Sequence, residues 1–369
     1  MLLRTPRDTL LQPLSAAAGM VEKRQTKPIL GCFLIEKSGP TLTITATDLE
    51  AQIRVTQPLG ELPTDNGDGA LAVPAKKLLD ILKSLPDGST VELRHEGDQL
   101  RVTSGRSRFT LHTLPASDFP TLQPPTTGQQ LTLPQRVLRR VIALTAFAMA
   151  QQDVRYYLNG LLFHQVAEKL HVVATDGHRL AHVQTAMQEQ GQAREAILPR
   201  KTVLELERLL TDSDQPVILT IADRQVVIQS GALELTSKII EGKFPDYTRV
   251  IPSAHPVRIV FDRLELLRAL QRVAVLAEDK LRPIRCQFEP GLVRISGHNT
   301  EKEEAVEEIE IHYEGASFEV GFNVTYLIDV LTALANDVIH LQLKDSMAAA
   351  LITTPDDPHF HYVVMPMRL

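Results

Sequence analysis

Apolar residues recur at helical spacing near the start of three stretches of the chain. Intervals of three and four residues place side chains on one helix face, so each stretch is predicted to open with an amphipathic helix. Pro13 lies inside the first stripe and is expected to bend or delay that helix, whereas Pro134 is placed to start the second. The stripes are Leu10, Leu11, Leu14, Ala17 and Ala18, then Leu138, Val141 and Ile142, then Leu266, Leu267, Leu270, Val273 and Ala274.

Two further markers repeat with nearly constant spacing. A second helical pattern follows Pro74, Pro199 and Asn323, at intervals of 125 and 124 residues. Strand-like alternations end, at intervals of 128 and 123 residues, in Ala46-Thr47-Asp48, Ala174-Thr175-Asp176 and Gly297-His298-Asn299. The coincidence predicts three tandem copies of one α+β domain of about 120 residues, with helices on one side of antiparallel sheets. The predicted domains are 1–128, 129–253 and 254–369, with joins in the Pro-rich stretches 123–130 and 252–256.

Composition narrows the class of protein. The chain has 369 residues, of which 43% are hydrophobic and 23% charged, so a globular protein of two or three domains is expected. No apolar run approaches the roughly 18–20 residues of a membrane span, and the amino terminus carries no signal-peptide pattern. Cys32 and Cys286 are too few for a disulfide framework, and they are interpreted as buried thiols in a reducing cytoplasm. We expect a cytoplasmic protein without a cofactor, a resident metal or a membrane contact.

The net charge of −6 hides an uneven distribution. The three predicted domains carry net charges of 0, +1 and −7, and six of the acidic residues of the last fall within 301–310. Basic residues recur on the predicted helices of all three copies or, for Lys23 and Arg24, just past the helix, which favours a positive surface for a phosphate backbone over ordinary solvated faces. No sequence-reading motif accompanies them, so DNA contact should be independent of sequence. These residues are Lys23, Arg24, Lys76, Lys77, Arg136, Arg139, Arg140, Arg200, Lys201, Arg263, Arg268 and Arg272.

Motifs for catalysis are absent from the sequence, including phosphate-binding loops, dinucleotide-binding glycines and metalloprotease histidines. Asp176 and His178 could serve as a base and its orienting group, but two residues apart across a glycine they fit a turn at a strand end better. His359 and His361 alternate on one strand face; weak metal binding there is an alternative to the favoured interpretation as solvent-facing polar residues. No catalytic or metal-binding residue is therefore assigned.

The carboxyl terminus is apolar up to Leu369, although chain ends are usually polar and frayed unless something holds them. Two interpretations fit this apolar end equally well. It is either a final strand in the core or part of a groove for short peptides, which flexible methionine side chains can line.

Several strings closely resemble the family of bacterial DNA polymerase III β subunits, the β sliding clamps. They are TDLE (47–50), SGRSRFTLHTLPASDFP (104–120), QDVRYYLNG (152–160), VATDGHRLA (173–181), KFPDY (243–247) and YVVMPMRL (362–369). The resemblance implies three clamp-fold domains with helices lining the inside and sheets outside, in a head-to-tail homodimeric ring around double-stranded DNA. It also implies no catalysis, loading by an ATP-driven clamp loader, and tethering of the DNA polymerase III catalytic subunit and other proteins with clamp-binding motifs.

The resemblance further implies three sets of site residues. DNA contact maps to Arg24, Lys76, Gln152, Tyr156 and Tyr157, with Lys77 beside them. The partner-peptide groove maps to Thr175, Gly177, His178, Arg179, Leu180, Pro245, Arg249, Val250, Met347, Val363, Met365, Pro366 and Met367. The dimer interface maps to Arg106, Arg108, Phe109 and Leu111 on the first domain and Val275, Leu276, Glu301, Glu303 and Glu304 on the third. An enzyme using Asp176 and His178, and a monomeric peptide-binding adaptor, are the competing classes.

Overall fold

The computed structural model describes residues 1–22, 27–60, 67–252, 255–277 and 281–368, with only the backbone of 188–193. Its six α-helices in those ranges come in pairs, one pair to each predicted copy. The first helices of the copies begin at residues 7, 135 and 263, and the second helices begin at 75, 200 and 324. The helices are α1 (Arg7–Ala17), α2 (Ala75–Ser84), α3 (Gln135–Ala143), α4 (Arg200–Leu209), α5 (Arg263–Val273) and α6 (Val324–Ala333).

The strands repeat in the same way, and every pairing between them is antiparallel. The first copy contains β1 (Leu2–Pro6), β2 (Cys32–Ser38), β3 (Thr41–Thr47), β4 (Ala51–Pro58), β5 (Gly69–Pro74), β6 (Thr90–Glu96), β7 (Gln99–Ser104) and β8 (Ser107–His112). The second contains β9 (Gln129–Pro134), β10 (Gly160–Thr175), β11 (Arg179–Pro199), β12 (Pro216–Ile221), β13 (Gln225–Ser230) and β14 (Leu233–Lys238). The third contains β15 (Val257–Asp262), β16 (Pro283–Glu289), β17 (Leu292–His298), β18 (Glu304–Glu310), β19 (Phe318–Asn323), β20 (Val338–Leu343), β21 (Ala350–Thr354) and β22 (Asp357–Val364).

Two of the four sheets cross the boundaries between copies. The sheet β5-β2-β3-β4-β14-β13-β12-β9 is joined where β4 meets β14, and the sheet β10-β11-β22-β21-β20-β15 is joined where β11 meets β22. The sheets β1-β6-β7-β8 and β18-β17-β16-β19 each belong to one copy. The chain divides into two compact units, one of 1–136 with 208–239 and one of 137–207 with 240–369. Each unit contains one of the two joined sheets, so the units do not coincide with the sequence copies. The domain boundaries predicted from the sequence remain a prediction.

Helices cover one face of the sheets in each unit. In the first unit α1 packs beside α2 on β3 and β4, and in the second α5 packs beside α6 and on β17 and β18. Their buried faces carry the predicted apolar stripes, including Leu10, Leu14, Leu270 and Val273, all fully buried. Helix α1 begins at Arg7, well before Pro13, so the proline does not delay it. No helix in the described ranges is long and apolar enough to cross a membrane.

Candidate functional site

A short turn between β10 and β11 forms one wall of a groove in the second unit. Asp176 accepts hydrogen bonds through Oδ1 from the backbone N–H groups of His178 (2.9 Å) and Arg179 (3.0 Å). The Thr175 hydroxyl donates to the Arg179 carbonyl at 2.6 Å and accepts from the Gly177 N–H at 3.1 Å. Asp176 thus holds a turn at a strand end, as the sequence predicts, and its side chain does not orient the His178 imidazole.

Gly177 is required where the turn meets the side chain of Arg155. Its φ of +91° is a conformation that other residues rarely adopt. A Cβ placed there would lie 3.0 Å from two guanidinium nitrogens of Arg155. Arg155 is fixed in turn by Asp153, whose two oxygens accept its Nε and Nη2 at 3.0 and 2.8 Å. Hydrogen bonds from Arg155 lower the pKa of Asp153 to about 2.

Arg179 is a buried cation behind the groove wall. Its guanidinium donates to Asp176 (3.0 Å), to Asp329 on α6 (2.6 Å) and to the Phe147 carbonyl (2.7 Å). The same group lies 4.4 Å from the ring centroid of Tyr326. Burial disfavours its charge, but the surrounding acidic groups outweigh burial and raise the pKa of Arg179 above its usual value. Arg179 therefore fixes the wall to α6 more than it offers a charge to solvent.

The groove is an apolar cavity of about 240 Å³. Leu180, Phe244, Tyr247 and Val363 line its floor and belong to a larger cluster of buried side chains from β10, β11, β21, β22 and the 244–247 segment. Met365 closes one side by donating its N–H to the His178 carbonyl at 2.8 Å. The cluster consists of Leu162, Val173, Leu180, Ile197, Phe244, Tyr247, Leu351 and Val363. Such a site suits an apolar peptide segment with a few polar contacts at its rim.

Nine of the thirteen predicted groove residues line this cavity: Thr175, Gly177, His178, Arg179, Leu180, Pro245, Val250, Val363 and Met365. The other four lie outside its lining. Arg249 is exposed and paired with Asp246, Met347 is 62% exposed, and Pro366 and Met367 follow Met365, with the Met367 N–H donating to Gly321. Five lining residues were not predicted as groove residues: Arg155, Tyr157, Leu158, Phe244 and Tyr247. All five lie within the strings QDVRYYLNG and KFPDY, and Tyr157 was predicted to contact DNA instead.

Of the predicted DNA-contacting residues that the structure describes, all but Tyr157 are exposed. Lys76 and Lys77 are exposed on α2, Gln152 is exposed at a φ of 55°, and Tyr156 is 58% exposed. Tyr157 instead lines the groove and packs against the apolar cluster. Arg24 lies outside the described residues.

Several of the basic residues predicted to form a positive surface take part in ion pairs or hydrogen bonds. Arg140 pairs with Asp357, Arg136 with Asp214 at 2.9 Å, and Arg272 with Glu307 at 2.6 Å. Arg263 is half-buried and donates to the carbonyls of Leu331 in α6 and of Asn336 just after it. Of the helix arginines in the described ranges, Arg139 and Arg268 are exposed without an ion pair.

The predicted interface residues lie on two outer strands. Arg108, Phe109 and Leu111 belong to β8, Arg106 lies in the turn before it, and in the described part of the chain β8 pairs on one side only, with β7. Glu304 begins β18, which likewise pairs only with β17. Glu301 and Glu303 are exposed just before β18, and beyond α5 Val275 is 68% exposed and Leu276 half-buried.

The remaining predictions concern thiols and metals. Cys32 and Cys286 are buried free thiols, as predicted, and burial raises the pKa of Cys286 to about 12. No group of three or more His, Cys, Asp or Glu within the described ranges is arranged to hold a metal ion. His359 is exposed, but the expectation of a solvent-facing His361 is wrong, because its ring is half-buried and stacks on His182.

Family models match the chain along nearly all of its length. The N-terminal, central and C-terminal domain models of the DNA polymerase III beta subunit match residues 1–123, 132–246 and 248–368. The beta sliding clamp of Pseudomonas aeruginosa is 44% identical over 366 residues, and that of Escherichia coli K12 41% over 368, with 98% of both chains covered in each case.

Solved structures are equally similar. The Pseudomonas aeruginosa sliding clamp bound to griselimycin superposes with a TM-score of 0.95 at 44% identity, covering 100% of both chains. The Caulobacter crescentus pol III beta structure gives 0.92 at 37% identity, again covering 100% of both chains.

Proposed function

Since the chain belongs to the family of the DNA polymerase III beta subunit, we propose that two copies join head to tail into a ring around double-stranded DNA. The chain consists of three tandem clamp domains and acts in DNA replication as a sliding clamp, a non-catalytic factor. In this proposal an ATP-driven clamp loader opens the ring, and the ring tethers the catalytic subunit of DNA polymerase III.

The ring is supported by a pattern of strand pairing that occurs at both joins between copies. In each join, the strand that follows the repeated marker of one copy, Asp48 or Asp176, pairs with the last strand of the next copy: β4 with β14, and β11 with β22. The third copy has the corresponding strand, β18, and the first copy has the corresponding last strand, β8. Both are edges in the described chain. Pairing β18 of one copy with β8 of another would repeat the pattern, and two such contacts close a ring.

The side chains near these edges suit each other. Arg106 and Arg108 are exposed at β8, and Glu301, Glu303 and Glu304 are exposed at or just before β18. Opposite charges would orient the two copies and speed their encounter more than they would raise affinity. The exposed Val275 could be covered in the same contact.

Weak contacts with phosphates would suffice for a ring that moves along DNA. Lys76, Lys77, Gln152 and Tyr156 are exposed and carry no recognition motif, which supports contact without sequence preference. Arg139 and Arg268 are exposed on α3 and α5 and are further candidates for phosphate contact.

The groove would receive peptide segments of partner proteins. Its apolar floor and its rim of Arg155 and His178 suit a short segment with apolar side chains and a few polar groups. In this proposal the polymerase, the clamp loader and other proteins with clamp-binding motifs compete for it, and griselimycin would bind this chain as it binds the Pseudomonas clamp. The buried thiols agree with a cytoplasmic location.

Retention on DNA tests the ring directly. The chain would be loaded with a clamp loader and ATP onto a nicked circular plasmid, which is then cut once or left intact. Retention on circles with rapid loss from linear DNA is expected, because a ring is held by topology and leaves at ends. Equal retention on both would contradict the ring and indicate direct binding, and a monomeric native mass would favour the adaptor class.

A further inference from the structure

A row of histidines continues the apolar floor of the groove. Residues two apart on a strand face the same side of a sheet. Four histidines each stand two residues from a member of the apolar cluster: His164 from Leu162, His171 from Val173, His182 from Leu180, and His361 from Val363. The row therefore lies on the sheet face that forms the groove floor, one step farther along β10, β11 and β22.

Three of these rings form a hydrogen-bonded stack. His182 and His361 are cross-strand partners, with ring centroids 5.5 Å apart and Nδ1 atoms 3.4 Å apart. His182 Nε2 lies 3.0 Å from His171 Nδ1, with centroids 5.3 Å apart and rings 10° from parallel. A neutral imidazole has one donor and one acceptor nitrogen, so a neutral His182 satisfies both contacts. If two neighbouring rings were protonated, an N–H group of one ring would face an N–H group of the other, and the hydrogen bond between them would be lost.

Tyr247 connects the row to the groove. Its hydroxyl lies 3.1 Å from Nδ1 of His164, and its ring centroid is 5.4 Å from that of His182. The same buried ring lines the groove and belongs to the apolar cluster. A displacement of the histidine rings would therefore move a wall of the groove.

The surroundings of the row disfavour positive charge. His182 is 6% exposed, and burial with the neighbouring histidines lowers its pKa to about 3. Burial also lowers the pKa of His171 and of His361. The charged or titratable groups that face the row are Lys169 on β10, His359 and Asp357 on β22, and Glu195 and Asp246 near Tyr247.

We propose that the histidine row makes the groove sensitive to protons, so that peptide binding requires the neutral row and weakens in acid. The proposal rests on the proposed peptide-binding function of the groove. Water reaches the half-buried rings of His171 and His361, whereas the buried ring of His182 can reach it only if the stack opens and Tyr247 shifts. A bound peptide covers the groove and removes water from behind Tyr247, so it favours the neutral row, and binding in acid must release protons.

The test measures the affinity of a fluorescein-labelled pentapeptide containing two leucines and a terminal phenylalanine. It compares the full chain at about pH 7.5 and about pH 5.5, with a variant in which His171→Gln and His361→Gln remove the titrating rings but keep polar side chains. His298→Gln, an exposed histidine on β17, is the matched control. Release of one proton changes affinity by up to about tenfold per pH unit. We expect at least about threefold weaker binding in acid for wild type and the control, and less than about twofold for the row variant.

The outcomes separate this proposal from the function on which it rests. Equal wild-type affinity at both pH values would overturn the histidine row and leave the groove intact. A loss in acid that persists in the row variant would overturn it too, because the effect would then not come from His171 or His361. No peptide binding at either pH would overturn the groove and, with it, this proposal.

A second measurement does not depend on the fold of the variant. Imidazole proton resonances of the wild-type chain would be followed by NMR through the same pH range, with and without the peptide. Saturating peptide should lower the apparent pKa of the row histidines and leave His298 unchanged. Row pKa values that do not respond to the peptide would contradict the coupling.

Discussion

The guanidinium of Arg179 donates to Oδ2 of Asp329 at 2.6 Å and so fixes the groove wall to α6. Both residues are in the second unit, yet they are 150 positions apart in the chain. Arg179 also bonds Asp176, the residue that holds the turn bearing Gly177 and His178. The shape of the groove at this end therefore depends on one buried cation.

Removing that cation should destabilise the second unit. Arg179→Ala leaves Asp176 and Asp329 without their shared partner, and breaking a buried ion pair typically costs about 3–5 kcal/mol. We expect a lower midpoint of urea unfolding and weaker binding of the labelled pentapeptide. Arg285→Ala is the control, because its exposed pair with Glu319 is worth about 0–1 kcal/mol. A midpoint as high as that of Arg285→Ala would show that Arg179 is not structural.

Charge reversal at β8 should weaken self-association. With Arg106→Glu and Arg108→Glu, the edge strand would meet the acidic segment before β18 with like charge. Native mass spectrometry or sedimentation should show dimers giving way to monomers, while Arg101→Glu on the neighbouring β7 leaves the mass unchanged. Glu301→Lys with Glu304→Lys in the same chain should restore dimers. Dimers that persist in the charge-reversed chain would speak against the β8–β18 contact.

Lys76→Glu with Lys77→Glu should weaken DNA binding without dissociating the dimer. Both side chains are exposed on α2, and losing two phosphate contacts weakens binding and flattens its salt dependence. Loading onto nicked plasmid should fall several-fold, by about the loss expected for two contacts, while the native mass stays dimeric. Arg101→Glu again serves as control. Dissociation into monomers would place these lysines at an interface instead.

Deleting residues 365–369 should abolish peptide binding while the chain still folds. The deletion removes the Met365 N–H that bonds the His178 carbonyl, and with it one side of the groove. The last strand, β22, ends at Val364 and is untouched. Circular dichroism should be unchanged and binding of the labelled pentapeptide lost. Full affinity in the shortened chain would exclude the tail from the groove.

Stability of the second unit should fall in acid because of His182. Its pKa is about 3 in the folded chain but about 6.5 when unfolded, so the unfolded state takes up the proton first. The free energy of unfolding is then unaffected above about pH 6.5 and falls by up to about 1.4 kcal/mol per pH unit below it. Urea midpoints between about pH 7.5 and 4.5 should show this slope, reduced in His182→Val. If the pH dependence of the urea midpoint is unchanged in that variant, groups other than His182 cause the loss of stability in acid.

The threefold repeat could be predicted from the sequence because its signals are local. Each second helix starts directly after Pro74, Pro199 or Asn323, since the residue pattern sets both the helical period and its start. The turn at Asp176 was predictable for the same reason, because its hydrogen bonds span only two or three residues. The assignment of most groove residues came instead from resemblance to a family, which supplied contacts between distant segments.

Contacts between distant segments depend on strand register, which one sequence does not reveal. Arg272 and Arg140 have the spacing of solvent-facing helix residues, yet each meets an acidic side chain far along the chain. His361 alternates like a surface residue, yet the pairing of β22 with β11 sets it against His182. The sequence by itself determined the repeats, their helices and the local turn. The tertiary structure alone decided which charges are paired and which histidines share a wall with the groove, because pairing of strands brings together residues that no local pattern connects.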